Sequence, residues 1–134
     1  MSRRKTLTLL LVLGALVGQA CGDEGTEPVV YTDPADTVQV KVGESFWISL
    51  ESNPTTGYKW QFGTPVDTTL LKLSEQKYVP DPNPEKLMGR GGRDHWLFEA
   101  IKPGSAGISL QYLRPWDSTS MERSVEFRVE INAE

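Results

Sequence analysis

The chain has 134 residues, with 18 acidic and 14 basic side chains, a formal net charge of −4 and a single cysteine. That length suits one domain and leaves little room for a second. One thiol cannot form an internal disulfide, and there is no surplus of basic residues to track a phosphate backbone, which argues against a nucleic-acid partner.

The first twenty residues read as an export signal. Arg3, Arg4 and Lys5 form a positive start, residues 7–17 are apolar, and Gly18-Gln19-Ala20 supplies small residues at a cleavage point. The apolar run is shorter than the ~20 residues a membrane-spanning helix needs. Residues 1–20 are therefore read as a signal peptide. Cys21 follows at once, where a lipid-modified cysteine would stand at a mature N-terminus, although Gly18 holds the position at which lipoprotein signals prefer leucine. The expected location is the cell envelope, as a lipoprotein ahead of a free secreted or periplasmic form. All 18 acidic residues lie after Cys21, whereas Arg3, Arg4 and Lys5 precede it, so the exported part carries 11 bases and a formal charge of −7. Residues 21–36 are small, acidic and Pro-containing, without apolar periodicity, and read as a flexible tether.

From residue 37 a period of two takes over. Residues 37–42 place Val38, Val40 and Val42 on one face, and 45–51 alternate Phe46, Ile48 and Leu50. Residues 57–62 alternate Tyr58, Trp60 and Phe62; a less regular stretch, 69–79, holds Leu71, Leu73 and Val79. Then come 94–101 with Trp96, Phe98 and Ala100, 106–113 with Ile108, Leu110 and Tyr112, and 122–132 with Val125, Phe127, Val129 and Ile131. No segment sustains a helical period. Seven short strands divided by turn residues predict an all-β domain over 37–134, an immunoglobulin-like two-sheet antiparallel β-sandwich.

Three connections are unusual. Asn53-Pro54-Thr55-Thr56-Gly57-Tyr58 is a tight turn whose tip carries two small, stiff, uncharged residues. The 80–93 connection is long and includes Gly89-Arg90-Gly91-Gly92, whose bare backbone can lie flat against a partner. It lacks the following helix that a phosphate-binding loop requires. Arg114-Pro115-Trp116 opens the last connection, and Trp and Arg often dominate binding energy at interfaces. From residue chemistry alone, Trp116 is equally suited to core packing and to partner binding. Successive connections alternate between the two ends of a sandwich, and these are the second, fourth and sixth. All three are expected at one end, the layout of a binding protein.

Together these three motifs, in this order, resemble the hallmarks of the chagasin-like family of cysteine-peptidase inhibitors, and the similarity extends over about 37–132. The resemblance implies reversible, competitive inhibition of papain-like cysteine peptidases without a covalent bond or cofactor. Thr55 and Thr56 would enter the middle of the peptidase cleft. Trp116 would stack on one side with Arg114 adding polar contacts, and Gly89-Arg90-Gly91-Gly92 would pair along the other. Arg90 departs from the family pattern by adding a charge to the glycine loop.

An enzyme is not expected. His95 is the sole histidine and shares a strand face with Leu97, no Gly-x-Ser-x-Gly elbow occurs, and no metal-ligand spacing is present. The competing reading is an envelope adhesion or glycan- or protein-binding sandwich using the same loop end. The expected state is a monomer, with membrane contact only through a lipid on Cys21.

Overall fold

The computed structural model describes residues 27–133. The signal peptide, Cys21 and the start of the tether lie outside the described residues. Eight strands follow in order: β1 Val29–Tyr31, β2 Val38–Lys41, β3 Ser45–Ser52, β4 Lys59–Phe62, β5 Leu71–Pro80, β6 Gly92–Ala100, β7 Gly104–Leu113 and β8 Arg123–Asn132. They form two four-stranded sheets, ordered β1-β3-β6-β5 and β2-β8-β7-β4. The inward residues of the alternating strands meet between them: Phe46, Ile48, Leu71, Trp96 and Phe98 from one sheet, Val38, Ile108, Leu110, Phe127 and Val129 from the other. Phe46 and Phe98 stack at 5.7 Å, and Phe62 meets Phe98 edge-on across the sandwich at 6.4 Å.

Two features differ from expectation. Val29–Tyr31, inside the stretch read as tether, is a strand, and it runs parallel to β3 with Val29 opposite Phe46. β2 is likewise parallel to β8, so both sheets are mixed and not purely antiparallel. The cause is one crossing: the chain lays β1 on the edge of the first sheet, turns at Asp33–Asp36 and lays β2 on the edge of the second. Three residues are too few to display an alternation, and a parallel partner lies far away in sequence.

The irregular stretch has an equally local explanation. The β5–β6 register slips between Leu73 and Glu75, and one inserted residue exchanges the faces of a strand. Leu71 is fully buried while Val79, beyond the bulge, is 43 % exposed. The bulge, Lys72, Lys77 and Pro80 also blunt this edge strand against pairing with another chain.

Trp47, on the outer face, meets His95 edge-on at 6.1 Å and lies beneath the Lys77 ammonium at 4.9 Å. Burial, then the Lys77 and Arg93 charges, hold the His95 imidazole below its usual value of 6.5, against the smaller opposing pull of Asp94. The unfolded chain therefore takes up this proton more readily. Stability is full above about pH 6.5 and is lost as pH falls from there to the folded value. Melting temperatures recorded between pH 7.5 and 5.5 should fall in the natural protein and fall less in His95→Gln.

Candidate functional site

The three unusual connections converge at one end of the sandwich, built on an aromatic stack. Tyr58 lies over Tyr112 at 5.3 Å, and Tyr112 lies against Trp60 at 4.9 Å. The Arg114 guanidinium covers Tyr58 at 4.7 Å and that of Arg123 covers Trp60 at 5.2 Å. Trp60 is anchored further by its indole N–H, which donates to the Glu51 carbonyl at 2.9 Å. The simple turns gather at the other end, where Gly43 N–H donates to the Ala100 carbonyl and Ile101 N–H to that of Leu70.

Asn53 organises the first loop. It caps the 3₁₀ turn Pro54–Thr56, its Oδ1 accepting from Thr55 N at 3.1 Å and Thr55 Oγ1 at 2.6 Å. The Thr56 hydroxyl donates back to the Asn53 carbonyl at 2.7 Å. Both threonine hydroxyls are thus committed inward, and the exposed tip offers a partner mainly apolar surface that loses little hydration. Neither hydroxyl has a base beside it, so the tip is not a nucleophile.

Asn53 also links this loop to its neighbours. Its backbone N–H donates to the Tyr112 hydroxyl at 2.9 Å, and its Nδ2 donates to the Gly89 carbonyl at 2.9 Å. Gly91 makes the second approach possible: a Cβ there would stand 2.8 Å from the Ser52 carbonyl oxygen. On the opposite flank, Gly57 closes the turn at φ 86°. A Cβ there would lie 2.8 Å from the Trp116 ring, and Arg114 Nε donates to the Thr56 carbonyl at 3.4 Å. The spatial order is glycine loop, threonine loop, tryptophan loop.

The tryptophan loop has its own clasp. Arg114 N–H donates to Ser120 Oγ at 2.8 Å, and the Asp117 N–H to the Arg114 carbonyl at 2.9 Å. Asp117 Oδ1 accepts from Thr119 Oγ1 at 2.6 Å and Thr119 N at 3.0 Å, which holds its carboxyl below the usual range. Pro115 and Trp116 project from this frame, and Trp116 is 73 % exposed, which decides against core packing.

Of the sequence-predicted residues, Pro54, Thr55, Thr56, Gly89, Arg90, Pro115 and Trp116 are exposed; Gly57, Tyr58, Gly91 and Arg114 are half-buried supports. Arg90 turns sideways to donate to the Pro82 carbonyl at 3.1 Å. Gly92 is buried as the first residue of β6, paired with Ser52 and Pro80. Its place is in the sheet, and because the Gly91 carbonyl accepts from Asp81 N–H at 3.0 Å the free backbone of that loop ends at Arg90. Met88 was missed. It is 94 % exposed beside Gly89, and a long apolar side chain in a polar loop was the signal, the same one that singled out Trp116. Among the described residues no three His, Cys, Asp or Glu side chains come together to hold a metal ion.

Residues 39–131 match the family described as "Chagasin family peptidase inhibitor I42". The chain is 38 % identical over 100 residues to chagasin of Trypanosoma cruzi, covering 72 % of this chain and 88 % of chagasin. It is 32 % identical over 95 residues to amoebiasin-1 of Entamoeba histolytica, covering 71 % and 89 %. A crystal structure of a cysteine protease inhibitor from Entamoeba histolytica superposes with a TM-score of 0.66 at 26 % identity, covering 81 % of this chain and all of that one. The sandwich, its three clustered loops and these likenesses agree: the chain belongs to the chagasin family of peptidase inhibitors and is not an enzyme.

Proposed function

We propose that this protein inhibits papain-like cysteine peptidases by seating its three-loop end in the active-site cleft, reversibly and in competition with substrate. The observation that carries the reading is the cross-bracing of the three loops, through Asn53 to Gly89 on one side and through Arg114 to Thr56 on the other. Loops already held in place lose little conformational freedom on binding, so affinity is not spent on ordering them. The apolar tip at Thr55 and Thr56 fits the centre of a cleft, where it would cover the catalytic groups without offering a bond to cleave. Trp116 and Met88 project on either side as large apolar anchors. Pairing along the cleft wall falls to the exposed backbone of Gly89 and Arg90. A monomer suffices for this action.

The chain enters the sandwich at the opposite pole. Val29 is opposite Phe46 at the start of β3, whereas the threonine loop follows Ser52 at its end. An envelope lipoprotein held through Cys21 would therefore point its loops away from the membrane. Labelled palmitate should enter the natural protein in its producing cell and not Cys21→Ser. Equal labelling, or none in either, contradicts the anchor.

Titration of papain with the folded protein should give saturable, substrate-competitive loss of activity. Trp116→Ala should raise the inhibition constant by roughly 30-fold or more, the effect of losing an interface anchor worth about 2 kcal/mol. No inhibition at high micromolar concentration would overturn the reading. Asn53→Asp provides a separate check, because the carboxylate can still cap Thr55 but cannot donate to Gly89. Inhibition should weaken about tenfold while the melting temperature changes little, since a retained cap conserves the roughly 1 kcal/mol that capping contributes.

A further inference from the structure

Beside the loops, the open mouth of the sandwich forms a groove of about 690 Å³. Its floor lies where the strands end, with Ser52 of β3 and Gly92 of β6 paired in one sheet and Tyr112 of β7 in the other. Ser52 falls on the inward side of β3 in line with Phe46, Ile48 and Leu50, and it is 6 % exposed. Among the described residues its hydroxyl makes no hydrogen bond, and buried hydroxyls nearly always find a partner. The Tyr112 hydroxyl accepts from Asn53 N–H and still has its own proton to give.

The rim carries Glu51, Asp81, Glu122, Arg93 and Arg123. Both arginines are held back by neutral partners and keep their charge, which leaves the three carboxylates a formal excess of one negative charge. Arg93 donates to the Ser49 hydroxyl at 2.7 Å and to its carbonyl at 3.0 Å, and Arg123 lies over the Trp60 ring. None of the three carboxylates forms an ion pair or a side-chain hydrogen bond among the described residues, where Lys77–Glu75 is the one ion pair. The groove is therefore rich in unused acceptors. The phenol of nearby Tyr78 is pushed up by burial first and then by Asp81, a groove residue, and by Asp94, which lies outside the groove. The carboxylates do not converge closely enough to hold a metal ion. Acceptors spread along a groove suit a cationic head on an aliphatic stem.

We infer that this groove is a fourth contact of the inhibitor, taking an arginine or lysine side chain from the rim of the bound peptidase. The inference rests on the inhibitory reading above, because Asn53 and Gly91 line both the groove and the loop tripod. The loops block the cleft, and the groove adds charge-dependent selectivity among targets that would otherwise fit equally well. Unpaired acceptors of this kind discriminate against a partner with an acidic or apolar rim.

The test compares the natural protein with Glu51→Gln/Asp81→Asn/Glu122→Gln, after thermal melts establish that both fold. Papain inhibition is measured at 50 and 300 mM NaCl, and ethylguanidinium is titrated into each protein while amide resonances are followed by NMR. The triple variant should inhibit about tenfold more weakly at low salt, with a flatter salt dependence. Ethylguanidinium should shift the Ser52 and Gly92 amides saturably in the natural protein and not in the variant. Unchanged inhibition and salt dependence, or the absence of saturable shifts at those amides, would overturn the groove. A folded natural protein that leaves papain active sinks the inhibitory reading instead, and with it the groove's role in inhibition.

Discussion

The shape of the three-loop end of this protein depends on one residue, Asn53. Its side chain uses both ends at once, the oxygen closing the threonine turn on itself and the amide reaching the glycine loop. Its backbone N–H rests on Tyr112, which belongs to the other sheet. No other residue type serves all of these roles. Aspartate lacks the donor, serine is too short to reach Gly89 and still cap Thr55, and glutamine is too long for the tight Asx geometry. The glycine loop would otherwise be held only from within its own connection, by Asn83 to Leu87, Arg90 to Pro82 and Asp81 to Gly91, and the threonine loop would keep its shape without a fixed neighbour.

Beneath Asn53, the sandwich converts core packing into loop position. Tyr112 and Trp60 are buried core members and also two of the three rings in the stack that supports the loops. A shift in either would move Tyr58 and the Arg114 side chain above it, and so displace the flank from which Trp116 projects. Loop geometry and core packing are thereby set by the same residues. The same device closes three separate turns: Asn53 with Thr55, Asp67 with Thr69, and Asp117 with Thr119, each pairing a side-chain oxygen with the amide and hydroxyl two residues on. Two of the three brace the loop end, where fixed shape counts most.

Much of this was legible in the chain because the underlying signals are local. Phe46, Ile48 and Leu50, or Phe127, Val129 and Ile131, announce their strands by alternation alone. The parity of the connections put three loops at one end before any distance was known. What escaped was non-local or too brief to repeat. β1 has three residues and a parallel partner, the bulge near Ser74 exchanges faces midway along β5, and the tie from Asn53 to Gly89 spans 36 positions. Gly92 was read as loop because glycines usually mark turns, yet its amide belongs to β6. The groove at the sandwich mouth could not be read at all. It arises from Ser52, Tyr112 and Glu122, which lie in three different strands or connections and share no motif.

The account stands on the claim that the loop end binds as a preformed unit. The most direct measurement is a crystal structure of the protein bound to papain, compared with the free protein. The account predicts Thr55 and Thr56 over the catalytic cysteine, flanked by Trp116 and the Gly89 loop. The Asn53–Gly89 and Arg114–Thr56 hydrogen bonds should be intact, with loop Cα atoms displaced by about 1 Å or less, as in other preorganised complexes. A complex formed through the outer sheet face or the opposite pole, or one in which these loops separate and refold around the peptidase, would contradict it.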